Sequence, residues 1–233
     1  MFHPLDHPLE RGWVGRIEGD RVIQLAAQTL QSLFTGGGSA REHAVYPLAE
    51  VCFLPPVLHP PAVRVFEDQT KFAFSNPAAV VGPGANVVTD ARQAPSNSLL
   101  QGRLMLVPRV AGVIGADGAL AGFTAFADWR DPARMPPKDR DFAIGLGPVV
   151  VTSDELDADG LVGIVRVDGD ERARVAFDGF DWPAARDLSE AGTKLLPGDL
   201  LAGPSTLVQE ILRGSVVELE LAGIGVLEQT VGD

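Results

Sequence analysis

Cysteine is almost missing from this chain: Cys52 is the only one in 233 residues. An internal disulfide is therefore impossible, and no Cys/His cluster offers a zinc site. Cys52 stands in the apolar run Val51-Cys52-Phe53-Leu54, where a thiol reads as an inert core residue. Basic residues are also short, 19 against 31 acidic ones, for a formal charge of −12. Such a surface repels phosphate backbones and anionic lipid, so neither nucleic acid nor a membrane is an expected partner. Long hydrophobic runs are absent as well. One long charge-free stretch, residues 72–89, is broken by Pro77 and Pro83 and cannot be a membrane helix. The first residues, MFHPLDHPLERG, carry two prolines and alternating charge. They do not read as a basic segment followed by an apolar one, and a cytoplasmic location is expected.

Nucleophile and nucleotide signatures are missing too. There is no G-x-S-x-G, P-loop or dinucleotide glycine fingerprint. The four histidines, His3, His7, His43 and His59, all lie toward the amino terminus, without metal-ligand spacing.

What the sequence does have is turns and short apolar segments. Glycine and proline number 26 and 18. The length suits one domain, or a large domain with a small appendage. Residues 13–25 read as a hairpin about Glu18-Gly19-Asp20, and 26–34 as one short helix ended by Gly36-Gly37-Gly38. The proline-rich stretch 47–61 places a boundary between a small unit, residues 1–60, and a second unit, 61–233. Beyond it, strand candidates are 80–81, 86–88, 104–107, 110–114, 149–151, 161–167, 173–177 and 216–221. The best helix candidate is 182–191, with Pro183 in its first turn. The expected class is α+β, mostly β. Polar residues inside apolar surroundings are the candidate functional groups: Arg109, Asp128, Lys138 and Asp141.

Several stretches resemble the fumarylacetoacetate hydrolase family. They are Ser75-Asn76-Pro77 through Gly84, KDRDFAIGLGPVVVTSDEL at 138–156, LLPGD at 195–199, and SVVELELAGIG at 215–225. The resemblance spans nearly the whole chain in one consistent order. It implies a mixed β roll with a small amino-terminal domain, a dimer, and chemistry on 2-oxo or 1,3-dioxo acids: C–C hydrolysis, decarboxylation or isomerisation. It also implies a divalent cation, usually Mg²⁺, held by oxygen ligands that stabilises an enolate.

The departures from the family pattern carry the functional reading. Where the family has E-x-E, this chain has Val107-Pro108-Arg109. The third ligand position is kept as Asp128. The family arginine four residues on falls on Pro132, with Arg130 or Arg134 nearby. The water-activating histidine falls on or near Gln69, and glutamine is no general base. One carboxylate beside an arginine is a poor Mg²⁺ site, so no metal or other cofactor is expected. Two readings follow, and the resemblance leaves open whether any activity is retained. In the first, the chain is a degenerate, metal-free member. It binds a small carboxylic acid or a protein partner, as a homodimer or beside an active homologue. In the second, it is a metal-independent decarboxylase or isomerase in which Arg109 and Lys138 bind the acid and Asp128 orients Arg109. Asp141 adds to the substrate-binding group in this scheme. An Arg109–Asp128 contact is expected under both.

Overall fold

The computed structural model describes residues 1–36, 38–87 and 102–232. Val88 of the 86–88 strand candidate and Gly37 of the glycine loop lie outside them. Among the described residues the architecture is mostly β, with two short α-helices, α1 (Leu30–Phe34) and α2 (Trp182–Glu190). Residues 1–53 build two small sheets. One pairs β1 (Phe2–Pro4) with β5 (Val51–Phe53), and the other runs β2 (Gly15–Glu18), β3 (Arg21–Ala26), β4 (Ser39–Pro47).

The rest forms two larger sheets. The first has the order β7 (Lys71–Ser75), β6 (Val63–Asp68), β15 (Leu200–Ala202), β10 (Arg103–Ile114), β11 (Leu120–Arg130), β12 (Ala143–Thr152), β8 (Ala79–Val81). In it β16 (Gln209–Leu212) adds to the early half of β10. The second has the order β14 (Asp170–Phe177), β13 (Leu161–Val167), β17 (Val216–Leu221), β18 (Gly225–Val231), β9 (Ala85–Val87).

Side-chain alternation explains why the central strands are apolar throughout. One face of β10 and β11, including Leu106, Val110, Ala125 and Trp129, packs on Val165, Val175, Leu219 and Leu227 of the second sheet. The opposite face, including Ala111, Val113 and Phe126, joins Val63, Val65 and Leu200, with Leu30 and Phe34 of α1 laid against it. A buried glutamine ties the sheets: Trp129 Nε1 donates to Gln229 Oε1 at 2.8 Å, and Gln229 Nε2 donates to the Val81 carbonyl at 3.0 Å.

Several elements differ from the sequence expectation. Helix α1 spans only 30–34, because β3 continues to Ala26. Strands β1, β4, β5, β6, β7, β11, β15, β16 and β18 have no counterpart among the expected ones. The candidates 104–107 and 110–114 are one strand running straight through Pro108. On the β15 side, Gly203 N donates to the Val110 carbonyl and Ile114 N donates to the Asp199 carbonyl. By alternation Pro108 faces that same side, in the gap between β15 and β16. Its missing N–H falls where no strand needs it.

Candidate functional site

The gap beside Pro108 is where the candidate residues meet. In the β10–β11 register Val107 lies opposite Asp128 and Arg109 opposite Phe126. Val107, Arg109 and Asp128 therefore share one face of the sheet, with Arg109 diagonal to Asp128 and within reach of a long side chain. Arg109 Nε donates to Asp128 Oδ2 at 3.1 Å. Its Nη1 donates to the Phe66 carbonyl at 3.0 Å and the Gly203 carbonyl at 2.8 Å. The guanidinium thus closes the gap left when β15 ends, linking β6, β10, β11 and the loop after β15. Both side chains are buried, 5% and 4% exposed.

A second guanidinium reaches the same oxygen. Arg130 Nη2 donates to Asp128 Oδ2 at 2.9 Å, and its side chain keeps 28% exposure. Arg130 Nε is buried without a partner. Burial pushes the Arg109 guanidinium below its ordinary range. Asp128 opposes that shift, and the charges of Arg130 and Arg140 add to it. Arginine stays protonated even so. Arg140 is therefore the third cation of this neighbourhood, with Asp139 at 3.7 Å and Glu67 within its field.

The donor set does not fit a divalent cation. Mg²⁺ wants near-octahedral oxygen coordination, usually with a carboxylate or two. Here Val107 and Arg109 flank the single carboxylate, and two guanidiniums already occupy its Oδ2. Among the described residues no three His, Cys, Asp or Glu side chains converge elsewhere as a metal cage.

The other expected site residues are not brought to this pair. Residues 131–141 fold into a compact loop, pinned by Asp131 N to the Asp139 carbonyl at 2.7 Å and by Arg134 on Asp131 at 3.1 Å. That loop turns Lys138 outward, 63% exposed, into an ion pair with Asp141. Gln69 sits at the β6–β7 turn and pairs with the backbone of Asp181, the N-cap of α2. Gln69 Nε2 donates to the Asp181 carbonyl at 2.9 Å, and Asp181 N donates to Gln69 Oε1 at 2.8 Å. Arg109 and Lys138 thus do not form one two-cation clamp. Sequence reasoning missed Arg140, for which no local signal exists. It also missed the carbonyls of Phe66 and Gly203, which only tertiary pairing supplies. Arg130 was legible as the residue two past Asp128, on the same strand face.

Comparison with known proteins places this geometry. The family model for the fumarylacetoacetate (FAA) hydrolase C-terminal region matches residues 58–232. No curated protein sequence matches the chain. Among solved structures, maleylpyruvate hydrolase from Sphingobium sp. SYK-6 is similar at 20% identity and TM-score 0.75, over 96% of this chain and 97% of that one. Fumarylacetoacetate hydrolase from the psychrophilic Exiguobacterium antarcticum is similar at 20% identity and TM-score 0.76, over 95% of each chain. A 2-keto-3-deoxy-D-arabinonate dehydratase in its apo form is similar at 15% identity and TM-score 0.74, over 94% of each. At such identities these likenesses establish the fold.

Proposed function

Because the chain belongs to the fumarylacetoacetate hydrolase family, we propose that it is a metal-free member that binds a small 2-oxo carboxylate and does not hydrolyse it. Two of the similar structures are named for 2-oxo acids, a maleylpyruvate and a 2-keto sugar acid, which supports this choice of ligand class. The observation that carries the proposal is the shared oxygen. Arg109 and Arg130 both donate to Asp128 Oδ2, which leaves the site one positive charge in surplus before Arg140 is counted. Arg109, whose Nε and Nη1 are engaged inside the protein, acts as a positioning residue. Arg130, whose side chain keeps 28% exposure, is the group that offers a carboxylate a charge-assisted hydrogen bond.

Hydrolysis is assigned as lost for chemical reasons. A C–C hydrolase needs an activated water and an acceptor for the enolate charge. The position read as the water-activating base holds Gln69, whose amide is spent on the Asp181 backbone. The metal's place in the strand pair is taken by an internal ion pair. Among the described residues no helix is long and apolar enough to cross a membrane. Calorimetric titration with sodium pyruvate and with oxaloacetate, each with EDTA and with Mg²⁺, tests the reading. Binding equal in both conditions, weakened in Arg130→Ala and without product by NMR, is expected. Metal-dependent turnover would overturn it.

A further inference from the structure

The cavity of about 430 Å³ between the amino-terminal unit and the roll is separate from the site above. That volume lies within the usual range for small-molecule sites, about 300–1,000 Å³. Its walls come from three places: Glu10 and Arg11, the stretch from Leu58 into β6, and the end of β7 running on toward β8. Val63, at the start of β6, lines it, whereas the Phe66 carbonyl on the same strand serves Arg109.

The walls are held rigidly. Pro60, Pro61 and Pro77 line the cavity, and each fixes its own φ. The Ala62 carbonyl accepts from Leu200 N at 2.9 Å, while Ala78 N and Ala79 N donate to the Asp141 and Phe142 carbonyls at 2.8 and 3.1 Å. The Arg11 side is locked by the next residue. Gly12 has φ +60°, and a Cβ there would lie 2.5 Å from the Phe2 carbonyl oxygen. Trp13 N donates to that same carbonyl at 2.7 Å.

Four side chains with hydrogen-bond donors line this frame: Arg11, His59, Ser75 and Asn76. None has a side-chain hydrogen-bond or ion-pair partner among the described residues. Most arginines of this acidic chain are paired, including Arg64, Arg103, Arg109, Arg166, Arg174 and Arg186. Arg11 is thus a free guanidinium lining a concave, proline-walled pocket beside neutral donors. A guanidinium fork matches a carboxylate through two parallel hydrogen bonds, which a serine hydroxyl and an asparagine amide can extend. Glu10 lines the same cavity. Its charge offsets part of the attraction, which suits a monoanion and disfavours a dianion.

We propose that this cavity is a second ligand site, for a small monocarboxylate, with Arg11 as its anchor and Ser75 and Asn76 as its neutral donors. It is independent of the Arg109–Arg130 reading, and the test separates the two. Amide NMR shifts are followed on the full chain during titration with sodium acetate, sodium succinate and inorganic phosphate at constant ionic strength. Acetate is expected to give saturable shifts at residues 58–63 and 75–80, with a dissociation constant of about 1 mM. Arg11→Ala, and Arg11→Gln as a second variant, should weaken acetate binding there by about tenfold or more, whereas Arg130→Ala should leave those shifts unchanged. No saturable shift in that segment up to about 50 mM acetate, or binding unaltered in both Arg11 variants, overturns the site. Tighter binding of succinate or phosphate overturns the monocarboxylate assignment. Weakened pyruvate binding in Arg130→Ala, with the acetate shifts at 58–63 and 75–80 kept, bears only on the other site.

Discussion

Removing the Asp128 carboxylate is the sharpest test of how this site is held. Asp128→Ala leaves Arg109 with only the Phe66 and Gly203 carbonyls, while Arg109 and Asp128 are 5% and 4% exposed. Arg109 cannot swing to water without breaking those two bonds, so the uncompensated charge stays in the protein. Breaking a buried ion pair from one side costs about 3–5 kcal/mol, and an exposed pair under about 1. Arg130 adds little to the loss, because its 28% exposure lets it reach solvent. With a urea slope of about 2.5 kcal/mol per molar, the unfolding midpoint should fall by about 1.2–2 M at unchanged slope. The assay is urea unfolding followed by tryptophan fluorescence. The double variant Arg109→Met with Asp128→Leu serves as the control and should recover most of the loss, since apolar packing replaces a buried ion pair at little cost. A midpoint shift below about 0.4 M in Asp128→Ala would show that the pair is not buried in solution, and the argument would fall.

Arg109→Glu alone should not create a metal site, because Val107 still faces Asp128 without a carboxylate. Val107→Glu with Arg109→Glu sets three carboxylates on one face of the strand pair, and calorimetry with Mn²⁺ should detect binding only in that double variant. Gln69→Ala should cost about 1–2 kcal/mol by loosening the α2 N-cap, with pyruvate binding unchanged by titration. Arg64→Ala should destabilise by about 3–5 kcal/mol in the same urea assay, since it strands Asp199 in a pair whose side chains are 5% and 2% exposed. We further propose a homodimer. Edge strand β7 carries Phe74 at 66% exposure and β16 carries Leu212 at 56%, and such edges call for cover. Light scattering at high micromolar concentration should give twice the chain mass.

The sequence alone determined the mostly β class and the family. These are local matters: short apolar runs between glycine turns, and residue identities within recognisable stretches. Strands β13, β17 and helix α2 were legible because each carries its own period or cap. Strand β11 was not, because a strand buried on both faces shows no alternation. Pro108 likewise read as a break, since nothing local says that one side of β10 faces a gap. Tertiary structure decided which charges meet. Arg109, Asp128, Lys138 and Asp141 looked alike along the chain. Antiparallel register brought the first two together, and the fold of the 131–141 loop turned Lys138 outward onto a half-buried Asp141. Charges separated by tens of residues interact through register and loop geometry, and neither is written in their spacing.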